Sequence, residues 1–144
     1  MKTAVSIVIP MHNCGEMLSK CLNSIRKQTF RDIEVIVVNN GSTDGSAELA
    51  EMIAAEDSRF RVIHHPEGKA GEARNVGVAA ASGEYIAFVD GDDTLTENYI
   101  SELYTAAKEH DADIAMCGYR YCFLNSGSEK NGVSMPDRVY TRDE

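Results

Sequence analysis

Short runs of β-branched and aliphatic residues, each closed by polar turn residues, alternate with amphipathic stretches of helical length, and this alternation constrains the chain most. Val5 to Ile9 is such a run, ended by Pro10 as expected of a buried strand; Ile33 to Val38 is another, apolar except for Glu34; Tyr85 to Val89 reads as another buried strand, and Arg61 to His64 as a short one. Between the first two, a helix opens at Asn13 to Glu16 with Met17, Leu18, Cys21, Leu22 and Ile25 at a 3.6-residue period and Lys20, Arg26 and Lys27 off the stripe. The spacing predicts further helices over Ser46 to Ala55, from the loop Gly68 to Gly71 up to Ala81, and from about Glu97 to His110. The last of these sets Tyr99, Ile100, Leu103, Tyr104 and Ala107 on an inner face. Ile114 to Tyr121 is a final strand candidate, and the polar segment after Phe123, with Asn125 to Ser128, reads as exposed or partly disordered. Strands alternating with helices imply an α/β, Rossmann-like fold: a mostly parallel central sheet with helices on both faces.

Such sheets bind ligands outside the carboxyl ends of their strands. Three polar clusters fall there: Pro10 to Asn13, Asn39 to Gly41, and Asp90 to Asp93. Each alone could be a turn; three at one sheet edge make a site. Fourteen basic residues against 23 acidic ones give a net charge of −9, with no cationic run of the kind that tracks nucleic-acid phosphates. The longest uncharged stretch, Thr3 to Gly15, is 13 residues and carries Ser6, Pro10, His12 and Asn13, too short and polar to cross a bilayer. Lys2 before an apolar run resembles a signal peptide only superficially, since Pro10 breaks the run and no small-residue cleavage site follows. Cys14, Cys21, Cys117 and Cys122 form no CxxC pair, so buried reduced thiols in a cytoplasmic protein are expected.

Asp90, Asp92 and Asp93 place three carboxylates within four residues, and Gly91 lets the backbone turn and a ligand approach. Their mutual repulsion calls for solvent, a basic side chain or a cation. An all-oxygen set with few protein ligands suits Mg²⁺ or Mn²⁺ shared with phosphates, whereas a solvated acidic turn capping the next helix needs no ion. A calcium loop is excluded: Leu95 stands where the EF-hand glycine belongs and Ser101 where its bidentate Glu belongs.

The segments Val5 to Asn13, Val37 to Asp44, Lys69 to Asn75 and Gly83 to Asp93 resemble, in order, the family 2 glycosyltransferases of the GT-A fold. The resemblance implies a nucleotide-diphosphate sugar donor, usually UDP-linked, and transfer with inversion to an acceptor hydroxyl of a glycan or lipid-linked saccharide. It implies a base pocket lined by Pro10, Met11 and His12, with His12 where the family usually has Tyr, and Glu16 facing the nucleotide, although a first-turn carboxylate at a helix start explains Glu16 as well. Asn40 stands where the family carries an Asp that accepts the uracil N3–H; an amide oxygen can still accept it, without the charge. Arg74 corresponds to an Arg near the base or phosphates, with Lys69 a weaker candidate. Asp90 resembles the first Asp of a DxD motif, at ribose or reaching metal through water, Gly91 its central residue, and Asp92 the direct metal ligand.

Phe88 to Thr94 also fits the hydrophobic-DxDxT pattern of haloacid-dehalogenase-type phosphatases. Those carry the motif after their first strand and need a later acidic pair, which the 50 residues after Thr94 do not offer. The family's general base lies farther along, in an acceptor-binding half, so Asp137, Asp143 and Glu144 are not promoted to that role. The expectation is therefore a nucleotide-sugar-binding domain over residues 1–123, an incomplete catalytic domain. Residues 124–144 would be a polar tail or the start of the acceptor-binding region. A nucleotide-sugar-binding module without turnover is the competing class. The expected location is cytoplasmic, including a peripheral position at the inner membrane face.

Overall fold

The computed structural model describes residues 3–123, 126–135 and 138–139. In chain order the elements are β1 (Val5–Met11), α1 (Glu16–Arg26), β2 (Ile33–Asn40), α2 (Ser46–Glu56), β3 (Phe60–His65), α3 (Ala70–Ala80), β4 (Tyr85–Phe88), α4 (Tyr99–Glu109), β5 (Arg120–Cys122) and β6 (Glu129–Asn131). They fall into two units, Met1–Ser101 and Glu102–Glu144.

In the first unit four strands form one parallel sheet in the order β3-β2-β1-β4, the α/β arrangement expected. Met11 pairs with Asn39, Asn40 with His65 and Val8 with Phe88, so the polar ends of the strands come level at one edge. Because side chains alternate along a strand, the continuous apolar runs bury both sheet faces. Val8, Ile36 and Val38 pack with Ala73 of α3, joined by Ile63, Val76 and Ala80. Ile7, Ile9, Val35 and Val37 are likewise fully buried on the other face. The connections through α1 and α2 step one way across the sheet, while that through α3 steps back; right-handed crossovers then place α3 opposite α1 and α2. α1 buries Leu18, Cys21, Leu22 and Ile25, the expected stripe.

At the amino-terminal end of the sheet, Glu34 is the polar residue of β2. Its Oε1 accepts the Ser6 hydroxyl at 2.6 Å, the Ser82 N–H at 2.6 Å and the Ser82 hydroxyl at 2.7 Å, and its Oε2 pairs with Arg61 at 3.3 Å. Burial alone would push this carboxyl up; the bonds from Ser6, Ser82 and Arg61 outweigh it and hold it at about 2.

Several boundaries differ from the expectation. Pro10 lies inside β1 rather than ending it. Val8 and Ala4 turn their carbonyls toward β4, accepting from Val89 and Tyr85. Pro10, of the same parity, faces the same side beyond the end of β4, where its missing N–H has no strand to serve. β4 is not a buried strand: Ile86 and Phe88 are 39% and 49% exposed. They share a face with Val8 on an edge strand that α3 does not cover. In the second unit the strand expected over 114–121 shrinks to β5, which pairs antiparallel with β6 across the turn after Phe123. All four cysteines are free, but only Cys21 is buried: Cys14 is half-buried, Cys117 is exposed ahead of β5, and Cys122 is exposed because the three-residue strands of this hairpin bury no side chain. Asn125, Asp137, Asp143 and Glu144 lie outside the described residues. No helix among those described is long and apolar enough to cross a membrane.

Candidate functional site

In the sheet order β3-β2-β1-β4, the direction in which successive strands are added reverses at β1, the place where open parallel sheets take their ligands. The three polar clusters follow β1, β2 and β4 at this edge.

The loops after β1 and β2 are knitted together. His12 is exposed, and its Nδ1–H donates to the Asn40 carbonyl at 2.8 Å, leaving Nε2 to accept from Asn13 Nδ2 at 3.3 Å. Asn13, in the left-handed region at φ 50, donates its N–H to Ser42 Oγ and accepts the Thr43 N–H at 2.8 Å. Gly15 N–H reaches Asp44 Oδ2 at 2.9 Å, and Asp44 Oδ1 accepts from Ser46 at 3.0 Å. Those bonds, Ser46 first, hold the Asp44 carboxyl below the usual range. The sequence analysis set Asn13 in a polar cluster and Ser42 and Asp44 in a resembling segment, but gave none of the three a partner. Their signal was turn composition, which cannot show that two loops bond each other.

Asn39 and Asn40 are not turn residues but the buried end of β2. Asn39 donates to His64 Nδ1 at 3.1 Å and accepts the Ser42 N–H at 2.9 Å; His64 Nε2–H in turn reaches Glu51 at 2.8 Å. Asn40 donates through Nδ2 to the Gly68 carbonyl at 2.7 Å, and its Oδ1 accepts from His65 Nδ1 at 3.3 Å.

The acidic turn is held by its backbone. Val89 N–H bonds the Val8 carbonyl, and Asp93 N–H closes on the Asp90 carbonyl at 3.0 Å. Gly91 is buried, and a Cβ there would stand 2.9 Å from Cys14 Sγ and 3.3 Å from Met11 Cβ. The turn therefore lies directly against the loop after β1. Burial pushes the Cys14 thiol up, and the Cys21 thiol, near the Asp90 carbonyl, up to about 12, so neither is poised as a nucleophile. Arg74, from α3, donates to Asp90 Oδ1 at 2.5 Å. Burial, then Asp92 and Asp90 beside it, pushes the Asp93 carboxyl up. Asp92 is exposed.

Two contact groups thus emerge among the expected site residues. His12 meets Asn40, while Arg74 meets Asp90, and Gly91 packs over Met11. Pro10 and Met11 are buried at the end of β1. Glu16, exposed in the first turn of α1, borders a groove of about 590 Å³ with Lys20, Asp44 and Leu49. Lys69 is exposed just before α3. Among the described residues no three His, Cys, Asp or Glu side chains converge as a metal-ligand set. What the turn offers a cation is the exposed Asp92 carboxylate and the Asp90 oxygen not held by Arg74. That hard, all-oxygen set fits Mg²⁺ or Mn²⁺ only if other ligands come from phosphate and water.

The sequence model for "Glycosyl transferase family 2" matches residues 6–142. Glycosyltransferase GlyG of Streptococcus pneumoniae is 42% identical over 120 residues, which are 83% of this chain and 40% of GlyG. The uncharacterized glycosyltransferase EpsJ of Bacillus subtilis is 44% identical over 144 residues, 97% of this chain and 41% of EpsJ. The chain thus spans about two fifths of the length of these relatives. Among solved structures, S. aureus TarS 1–349 in complex with UDP superposes with a TM-score of 0.70 at 28% identity, covering 75% of this chain and 33% of TarS 1–349. A Pyrobaculum calidifontis mannosyltransferase in complex with GDP-Man and Mn²⁺ shares the fold, with a TM-score of 0.62 at 23% identity over 82% of this chain and 34% of its own. On this match over nearly its whole length, the chain belongs to glycosyl transferase family 2.

Proposed function

We propose that this chain binds the nucleotide-sugar donor, a UDP-sugar, of an inverting, metal-assisted glycosyl transfer to an acceptor hydroxyl. The observation that carries the proposal is the packing of the Asp90–Asp93 turn against the loop after β1, with Arg74 reaching Asp90 from α3. This sets carboxylates and a guanidinium beside the His12–Asn40 pair at the sheet's switch point. TarS, also crystallised with UDP-GlcNAc at 29% identity to this chain, supports the choice of donor.

On this reading His12 stacks on the base, its ring held by the Asn40 carbonyl, and Pro10 and Met11 floor the pocket. Asn40 Oδ1, an acceptor with two lone pairs, takes a base N–H besides that of His65. Glu16 flanks the nucleotide. Asp90 is oriented by Arg74, which also faces the phosphates. Asp92, with Asp90, would hold Mg²⁺ or Mn²⁺, which supplies charge stabilisation at the diphosphate oxygens. In the transfer, the acceptor oxygen forms a bond to the anomeric carbon from the face opposite the diphosphate. The bond to the phosphate oxygen breaks, its electron pair leaves with the nucleoside diphosphate, and the hydroxyl proton passes to a general base of the acceptor-binding half. The phosphatase pattern over Phe88 to Thr94 gives way to family membership.

Calorimetric titration with UDP and Mn²⁺ tests the donor site. Asp92→Ala is expected to weaken binding about tenfold or more, the equivalent of about 1.4 kcal/mol; unchanged affinity removes the metal role. In the full-length protein supplied with donor and acceptor, binding without turnover would leave the binding half of the proposal and remove the transfer half.

A further inference from the structure

We infer that Asn40 is a positioning residue that ties the loop between β3 and α3 to the end of β2, and so sets Lys69 and the start of α3 at the margin of the site; the ligand arm of this inference rests on the proposed function.

Asn40 is only 5% exposed, and its amide is committed at both ends. Nδ2–H enters the Gly68 carbonyl at 2.7 Å, while Oδ1 accepts from His65 at 3.3 Å. Next to it Gly41, at φ 74, lies so close to the same loop that a Cβ would stand 2.8 Å from Glu67 Cβ and 2.9 Å from Glu67 N. Three of the residues from His65 to Gly68 therefore rest on Asn40 and Gly41. One residue on, Lys69 N–H bonds Glu72 Oε2 at 3.3 Å and opens α3, whose Arg74 reaches Asp90. The main chain of Asn40 faces the other way and holds His12. One residue thus joins the loops after β1, β2 and β3.

The tie needs an amide. A carbonyl oxygen only accepts, so a carboxylate at position 40 would set two oxygens against each other where Nδ2–H now donates.

Asn40→Asp keeps the shape and removes that donor. In the ligand-free protein, hydrogen exchange at Glu67, Gly68 and Lys69 is expected to quicken about tenfold. UDP affinity in Mn²⁺ is expected to fall about fivefold, roughly the loss of one hydrogen bond. Unchanged exchange at those three amides overturns the inference. So does faster exchange with UDP bound as well or better, since the loop would then be tied without setting the margin of the site. Failure of the wild-type chain to bind UDP defeats the donor proposal instead, and the exchange comparison still decides the tie.

Discussion

Gly91 shows how little room the acidic turn has. Any side chain there meets Cys14 and Met11, so Gly91→Ala is expected to destabilise the fold by about 1–3 kcal/mol. In a Cys14→Ala background, where the nearest atom is gone, the added cost is expected to shrink; urea unfolding of the four variants checks the coupling. That Gly91 permits a close approach was readable from Asp-Gly-Asp-Asp after an apolar run. That the approach is to Cys14, 77 positions earlier in the chain, was not, because a one-dimensional pattern does not say which loops abut. Asn40 repeats the point: a departure from Asp was visible, but its Gly68 and His65 partners arise only from strand register.

At the scale of elements, local signals served best where an element buries itself by its own period. The α1 stripe and the three apolar runs of β1, β2 and β4 came through because a 3.6-residue period and unbroken β-branched runs are written into neighbouring residues. The errors came where a neighbour decides: the far end of β1, where β4 has stopped, and β4 itself, whose Ile86 and Phe88 read as core but lie on an edge. α3 depends on one such neighbour. A Cβ on Gly77 would run into Val8 Cγ1, so Gly77→Ala is expected to lose stability by about 1–3 kcal/mol despite Ala's better helix propensity. Thermal unfolding is expected to show a smaller penalty when Val8 is also Ala.

Over the first unit as a whole, Glu34 joins β1, β2, β3 and the segment before β4 through Ser6, Arg61 and Ser82. Its carboxyl is held at about 2 against an ordinary 4.5, so its contribution is complete above 4.5 and is lost as the pH falls toward 2. Glu34→Gln is expected to cost about 2 kcal/mol at pH 7. The gap to wild type is expected to narrow from pH 4.5 downward, as urea unfolding at pH 7 and pH 3 checks.

The chain carries a net charge of −9, and on the proposed reading its ligand is also an anion. Asp90 already neutralises Arg74, so the site has little spare positive charge for a diphosphate, while Asp92 and the free Asp90 oxygen are too few ligands for a bare ion. Neither a bare diphosphate nor a bare ion is then well received, and each improves the welcome of the other: affinity for UDP is expected to climb with Mn²⁺, and by reciprocity affinity for Mn²⁺ with UDP, by the same factor.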